Sequence, residues 1–151
     1  MSNLKKIKIP FPNNWIDVSN ENPNGAPTFI KENIEEPGVL QITYTEYISG
    51  EIPNPSYADL INLSKSIGNK NEEFGNCINE NYQECNFGKF GYVEFNSTVF
   101  PFSSIWNISD SKSFIFATYI CSTIQSDKEI IEVYNILKGI RHEIWIFLDK
   151  T

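Results

Sequence analysis

The segment Gly38 to Pro55, GVLQITYTEYISGEIPNP, runs straight into SYADLINLSKSIG and limits the chain's possible folds more than any other stretch. Leu40, Ile42 and Tyr44 alternate with Gln41, Thr43 and Thr45. Such alternation marks a strand with one buried and one wetter face. Ser56 followed by Asp59 then reads as a capping box opening a helix. A strand therefore feeds a helix across a proline-marked turn.

Similar readings extend along the chain. Lys5 to Pro10 alternates and is closed by Pro10 and Pro12, which predicts a short edge strand. Asn13 to Pro27, rich in asparagine and proline, is expected to be a loop pinned by apolar side chains, with Trp15 as its plug. Thr28 to Ile34 and Gly38 to Ile48 are expected to make a hairpin across the turn Glu35-Glu36-Pro37-Gly38. Gly68 to Asn81 loses all periodicity and is expected to be a mobile polar connection anchored by Phe74 and Ile78. Four strands follow as a meander, near Tyr82 to Phe87, Phe90 to Asn96, Thr98 to Ile108 and Ser113 to Thr123. The last is apolar on both sides, with Phe114, Phe116 and Ile120 against Ile115, Ala117, Tyr119 and Cys121, so it is a central strand in a sheet that must be covered.

The cover is a second helix. Ser126 and Glu129 form another capping box, and Ile130, Val133, Tyr134, Leu137, Ile140, Arg141 and Ile144 keep helical spacing through Gly139. Trp145 to Leu148 is apolar enough to dock on the body. The expected architecture is one α+β domain over residues 1–151, an antiparallel sheet of about six to seven strands covered by two or more helices.

Taken in order, hairpin, helix, four-stranded meander and helix resemble the Mog1/PsbP-like sandwich group, including its bacterial DcrB-type proteins. The resemblance is carried by NNWIDVS, by GVLQITYTEY leading through a glycine-proline turn into a helix, and by FGYVEF, SSIWNIS, FIFATYIC and EVYNILKGIRHEI. These are chiefly core positions. The group includes a Ran-binding nuclear transport factor, a photosystem extrinsic subunit and many uncharacterised bacterial proteins. The resemblance therefore implies a non-catalytic binding scaffold and supplies no active site. The lipoprotein signal with its cysteine, which DcrB-like members often carry, is absent at this N-terminus, so the resemblance implies no envelope location.

Composition restricts function mainly by exclusion. With 19 acidic against 12 basic residues and Arg141 the single arginine, no basic stripe is available to neutralise phosphates, and nucleic acid is not an expected partner. No apolar run is long enough for a membrane helix, and MSNLKKIKIPFP reaches proline before a signal-like block forms. Cys77, Cys85 and Cys121 are odd in number and without C-x-x-C spacing, which fits a reducing cytoplasm and neither a disulfide framework nor a zinc site.

Candidate chemistry is sparse. His142, the single histidine, is expected near the end of the second helix in a structural or surface role, although it is also the one base that could meet Cys85 or Cys121 in space. Glu46, Glu84 and Glu94 lie within strands where two carboxylates can share a face. The aromatic residues from Phe87 to Tyr119 resemble a stacking platform, yet without interleaved basic residues they read as core. FGKFG is a turn, and no phosphate-binding or nucleophile-elbow motif occurs. No cofactor, metal or catalytic residue is expected.

Two functional classes remain. The first is a non-enzymatic cytoplasmic module that engages a basic protein, an immunity or adaptor protein being one concrete version. Its contacts would come from Glu32, Glu35, Glu36, Glu72 and Glu73. The second is a small-ligand protein or hydrolase-like enzyme using carboxylates in a cleft between the sheet and the Gly68 to Asn81 loop. The chain itself is expected to be a monomer or a weak homodimer formed through an edge strand such as Lys5 to Pro10.

Overall fold

Alternating strands and two capped helices assemble, in a computed structural model describing residues 4–47 and 54–143, around one twisted antiparallel sheet. In chain order the elements are β1 (Ile7–Lys8), β2 (Trp15–Asp17), β3 (Thr28–Lys31), β4 (Val39–Glu46), α1 (Tyr57–Asn69), β5 (Asn76–Glu84), β6 (Lys89–Asn96), β7 (Phe102–Ser109), β8 (Ser113–Cys121), α2 (Asp127–Lys138) and β9 (Arg141–His142). Seven strands lie in the order β2-β3-β4-β8-β7-β6-β5, and β1 with β9 forms a separate two-stranded ladder. This is the α+β architecture expected. The β3–β4 hairpin and the β5 to β8 meander join where β4 pairs along β8, from Val39 opposite Ile120 to Glu46 opposite Ser113. β8 is thus the central strand that its two apolar faces require.

The two faces carry different layers. Leu40, Ile42, Phe90, Tyr92, Trp106, Ile108, Ile115, Ala117 and Tyr119 point toward α2, which contributes Val133, Ile136 and Leu137. On the other face Val93, Phe95 and Ile105 pack against Ile61 of α1 and against Phe74. α1 approaches closely because Gly91 has no side chain: a Cβ there would stand 2.7 Å from Ile61 N and 2.9 Å from Leu60 Cβ. Above it Ser64 Oγ donates to the Leu60 and Gly91 carbonyls and accepts from Asn107 Nδ2 at 2.8 Å, so the buried polar atoms of helix and sheet answer one another.

Several expectations change. The segment Gly68 to Asn81 is not a loop: α1 runs to Asn69, a 3-10 turn spans Glu72–Phe74, and the rest is the first half of β5. β5 is an edge strand whose residues Asn76 to Glu80 are all exposed, with a register shift between Cys77 and Asn79. Neither alternation nor apolar content survives in such a strand, and it is held by its ladder to β6. Asn13 to Pro27 likewise contains β2, which pairs with β3, although Trp15 is buried as expected and its Nε1 donates to Glu132 at 3.2 Å. β7 begins only at Phe102, because Ser97 and Phe100 close a turn before it.

The second helix does not survive Gly139. That residue is its C-cap, and a Cβ there would come within 2.8 Å of Pro10 Cγ. The chain then turns so that Lys8 and Ile7 pair with Arg141 and His142, which places His142 in a strand and gives the anticipated edge strand Lys5 to Pro10 a partner within the chain. Ile48, Ile144 and the expected docking segment Trp145 to Leu148 lie outside the described residues. No helix among the described residues is long and apolar enough to cross a membrane.

The α1 contact generates a stability test. Gly91→Ala is expected to destabilise the fold by about 1–3 kcal/mol, because the new methyl meets backbone, lowering the melting temperature by roughly 3–10 °C. Gly25→Ala, whose Cβ crowds the movable Asn22 side-chain amide and stands at an ordinary 3.4 Å from the Asn22 carbonyl oxygen, is expected to leave it nearly unchanged. Equal melting curves for the two variants would refute this account of the α1 interface.

Candidate functional site

Three places gather polar side chains, and the first is one end of the sheet. Val39 lies opposite Ile120, Phe102 opposite Cys121, Phe95 opposite Ser103 and Asn76 opposite Asn96. The β3–β4 turn, the β6–β7 turn, the β8–α2 loop and the turn before β5 therefore share that end. Glu32, Glu35, Glu36, Glu72 and Glu73 all lie there and are exposed. Glu35 and Glu36 are separated from Glu72 and Glu73 by the width from β4 to β5, four strand spacings or about 19 Å, so they form two margins and not one cluster. Ile34, Val39, Val99 and Ile124 are exposed at the same end, Ile124 to 86%.

This surface is held in shape. Gln125 Nε2 donates to the Glu36 carbonyl at 2.6 Å, and Thr123 Oγ1 donates to it at 3.3 Å. Ser97 Oγ donates to the Glu73 carbonyl at 2.5 Å. Neighbouring loops are thereby tied across the end, and Asp127 opens α2 beside them, where an anion suits the helix dipole.

The second place is a cleft between α2 and the sheet, about 160 Å³ in volume and lined by Tyr92, Glu94, Phe102, Ser104, Trp106, Tyr119, Tyr134 and aliphatic residues of α2. Tyr92 and Trp106 stack with centroids 4.2 Å apart, and Tyr134 meets both edge-on. Tyr92 donates its hydroxyl to Glu94 Oε2 at 3.2 Å, and Trp106 Nε1 donates to Ser104 Oγ at 3.1 Å. Burial first, then the Glu94 charge, raises the Tyr92 phenol well above its ordinary range.

Beside this cleft Glu129 is buried, 1% exposed. Its amide caps on Ser126 Oγ, but its carboxylate accepts from the Tyr119 hydroxyl and from Gly38 N–H at 3.2 Å. By its place in the sequence Glu129 is half of a capping box. Its spacing of four from Val133 already sets it on the apolar face of α2, a signal that the box obscured. Burial pushes the Cys121 thiol up to about 11, as suits an inert packing residue, and also raises Cys85.

The third place lies at the opposite end. Asp110 accepts from Lys112 N and Ser113 N through Oδ1 and meets His142 Nε2 at 2.6 Å through Oδ2. Tyr44 donates toward Glu46 Oε2 and Ser113 Oγ, while Lys6 Nζ stands 2.9 Å from Glu46 Oε1. The hydrogen bond from Lys6 holds the Glu46 carboxyl below its usual range. His142 also stacks on Phe87 at 4.4 Å. Ser113 Oγ is engaged by a phenol and the imidazole by a carboxylate, so this arrangement fastens β9 to the sheet and does not assemble a serine nucleophile with its base.

The remaining carboxylates stay apart. Glu46 and Glu94 share a face at opposite ends of the sheet, and Glu84 is exposed at the end of β5. The segment Gly68 to Asn81, expected to be a loop beside a cleft, is instead the end of α1, a 3-10 turn and the first half of β5, and none of its residues lines the cleft between α2 and the sheet. Among the described residues no group of three histidine, cysteine or acidic side chains is placed to hold a metal ion.

Burial of the phenols makes a pH prediction. Tyr92 and Tyr119 are raised in the fold, so their neutral forms stabilise it below the unfolded value of about 10. That contribution is lost as pH rises above it, because the unfolded chain releases the protons first. In an alkaline titration the absorbance of these phenolates is expected to appear together with loss of near-ultraviolet dichroism. Full tyrosine ionisation with dichroism intact would contradict it.

No family model and no curated protein matches the chain. Among solved structures it is similar to cyanobacterial PsbP (CyanoP) from Synechocystis sp. PCC 6803, determined in solution, at 14% identity and a TM-score of 0.56, covering 95% of this chain and 91% of that one. A crystal structure from Bacteroides thetaiotaomicron VPI-5482 aligns at 14% identity and a TM-score of 0.47, covering 92% of this chain and 46% of that one. The first likeness spans nearly the whole of both chains, and the architecture of this protein is PsbP/Mog1-like.

Proposed function

We propose that the chain is a non-enzymatic binding module that docks a basic protein on the acidic end of its sheet. The observation that carries this reading is the exposure of Ile124, Val99, Ile34 and Val39 among Glu35, Glu36, Glu72, Glu73 and Asp127, on loops tied together by side-chain hydrogen bonds. Exposed apolar side chains supply contact area, surrounding charge steers a partner of opposite sign, and loops already held in place reduce the ordering cost of association. An immunity or adaptor protein would have these properties. The acidic balance that favours a basic protein also disfavours nucleic acid. Cytoplasmic residence suits the three free cysteines, one exposed, one half-buried and one buried.

Native-lysate capture followed by mass identification, with purified partners then titrated, tests the proposal. Ile124→Asp is expected to weaken a genuine complex by roughly tenfold, about 1.4 kcal/mol. Charge reversal at Glu35 and Glu36, or at Glu72 and Glu73, is expected to slow association and flatten its salt dependence. Partners whose affinity ignores all of these changes would place the interface elsewhere and refute the reading.

A further inference from the structure

The cleft under α2 opens toward the same end of the sheet, and its chemistry is specific. Tyr92 and Trp106, stacked on one another, and Tyr134 line a space of about 160 Å³, and Glu94 contributes a carboxylate to its lining. Glu46, Glu80 and Glu132 each have a lysine partner, whereas Glu94 forms no ion pair among the described residues. Its two oxygens accept one neutral donor each, Tyr92 Oη at 3.2 Å and Asn79 Nδ2 at 3.3 Å, which leaves lone pairs on both. Tyr134 has the Lys138 ammonium 5.8 Å from its ring centroid, a cation that is not among the residues lining the cleft.

We propose that this cleft seats one cationic side chain of the partner, an ammonium or guanidinium head on a flexible stem, with its charge against Glu94 and its stem along Tyr92, Trp106 and Tyr134. Aromatic faces attract a cation through their quadrupole, and a carboxylate lacking an internal counter-ion completes the attraction. The volume matches one side chain and is smaller than a nucleotide or an oligosaccharide. Phe102 and Ile130 also line an adjoining groove of about 450 Å³ with Ile124 and Asp127. A segment lying in that groove delivers a side chain into the cleft. The identity of the cation's owner rests on the docking reading above, whereas the cleft's preference for a cation does not.

Small probes separate the two. The whole chain is titrated with n-butylammonium, n-propylguanidinium and neutral n-pentanol while the Trp106 indole N–H resonance is followed. At least one cation is expected to shift that resonance saturably, with pentanol binding at least tenfold more weakly. A preference for ammonium assigns the partner residue as lysine, and a preference for guanidinium assigns it as arginine. Glu94→Gln, which keeps an acceptor for Tyr92, is expected to weaken cation binding at least tenfold with far-ultraviolet dichroism unchanged. Glu84→Gln, the same change at an exposed carboxylate outside the cleft, is expected to remain folded and to retain cation binding. A silent indole resonance, pentanol binding equal to the cations, or undiminished cation binding in Glu94→Gln would each overturn the proposal. Cation binding with no basic protein captured would sink the docking reading alone and support the cleft chemistry.

Discussion

Gly91 sets how close α1 can come to the sheet. With hydrogen in place of a side chain, helix backbone and strand backbone nearly touch, and Ile61 N stands where a Cβ would need room. Gly68 repeats the device from the helix side, facing the Phe95 ring. Close approach lets Ser64 bridge to the Gly91 carbonyl and Asn107, so one narrow seam holds both apolar packing and buried polar groups. The opposite layer follows another rule: α2 rests on Trp106, Tyr92, Phe90 and Tyr119, whose rings hold it away from the strands. Rings of different tilt cannot fill that layer completely, and the cleft beside Glu94 is the space they leave.

The same pairing pattern gives the sheet two chemically distinct ends. At one, carboxylates and apolar loop tips face outward and hydrogen bonds run between neighbouring turns. At the other, Asp110, His142, Tyr44, Ser113, Glu46 and Lys6 bond to one another and close the short β1–β9 ladder against the sheet. Lys31 and Trp15 both reach Glu132, fastening the hairpin edge to α2. Polar groups at the second end are engaged within the chain, whereas those at the first are presented outward, and this difference directs the functional reading.

How much of this was legible depends on where the information resides. The Leu40, Ile42, Tyr44 alternation and the doubly apolar run through Phe116 and Tyr119 are local patterns, and the strands form where those patterns lie. Ser56 and Asp59 bond reciprocally as the capping box requires. The acidic residues are legible as charges, but their division into two margins follows from strand order, which no local pattern encodes. The aromatic cleft was hidden because a ring that packs and a ring that lines a space have the same alternation. Glu129 departs from a full capping box because its position as third residue of the helix and its place on the buried face point to different partners for the carboxylate, and the buried one prevails.

By itself, then, the sequence determined the period of each strand, the start of each helix, the acidic balance and the need for cover on both faces of β8, since all of these arise from neighbours along the chain. Tertiary structure alone decided that Asn76 to Asn81 is strand, that α2 stops at Gly139 against Pro10, and that Glu94 faces an aromatic cleft with no ionic partner among the described residues. The physical reason is common to all three: backbone ladders, steric stops and unpaired charges are properties of two segments brought together, and neither segment records its partner.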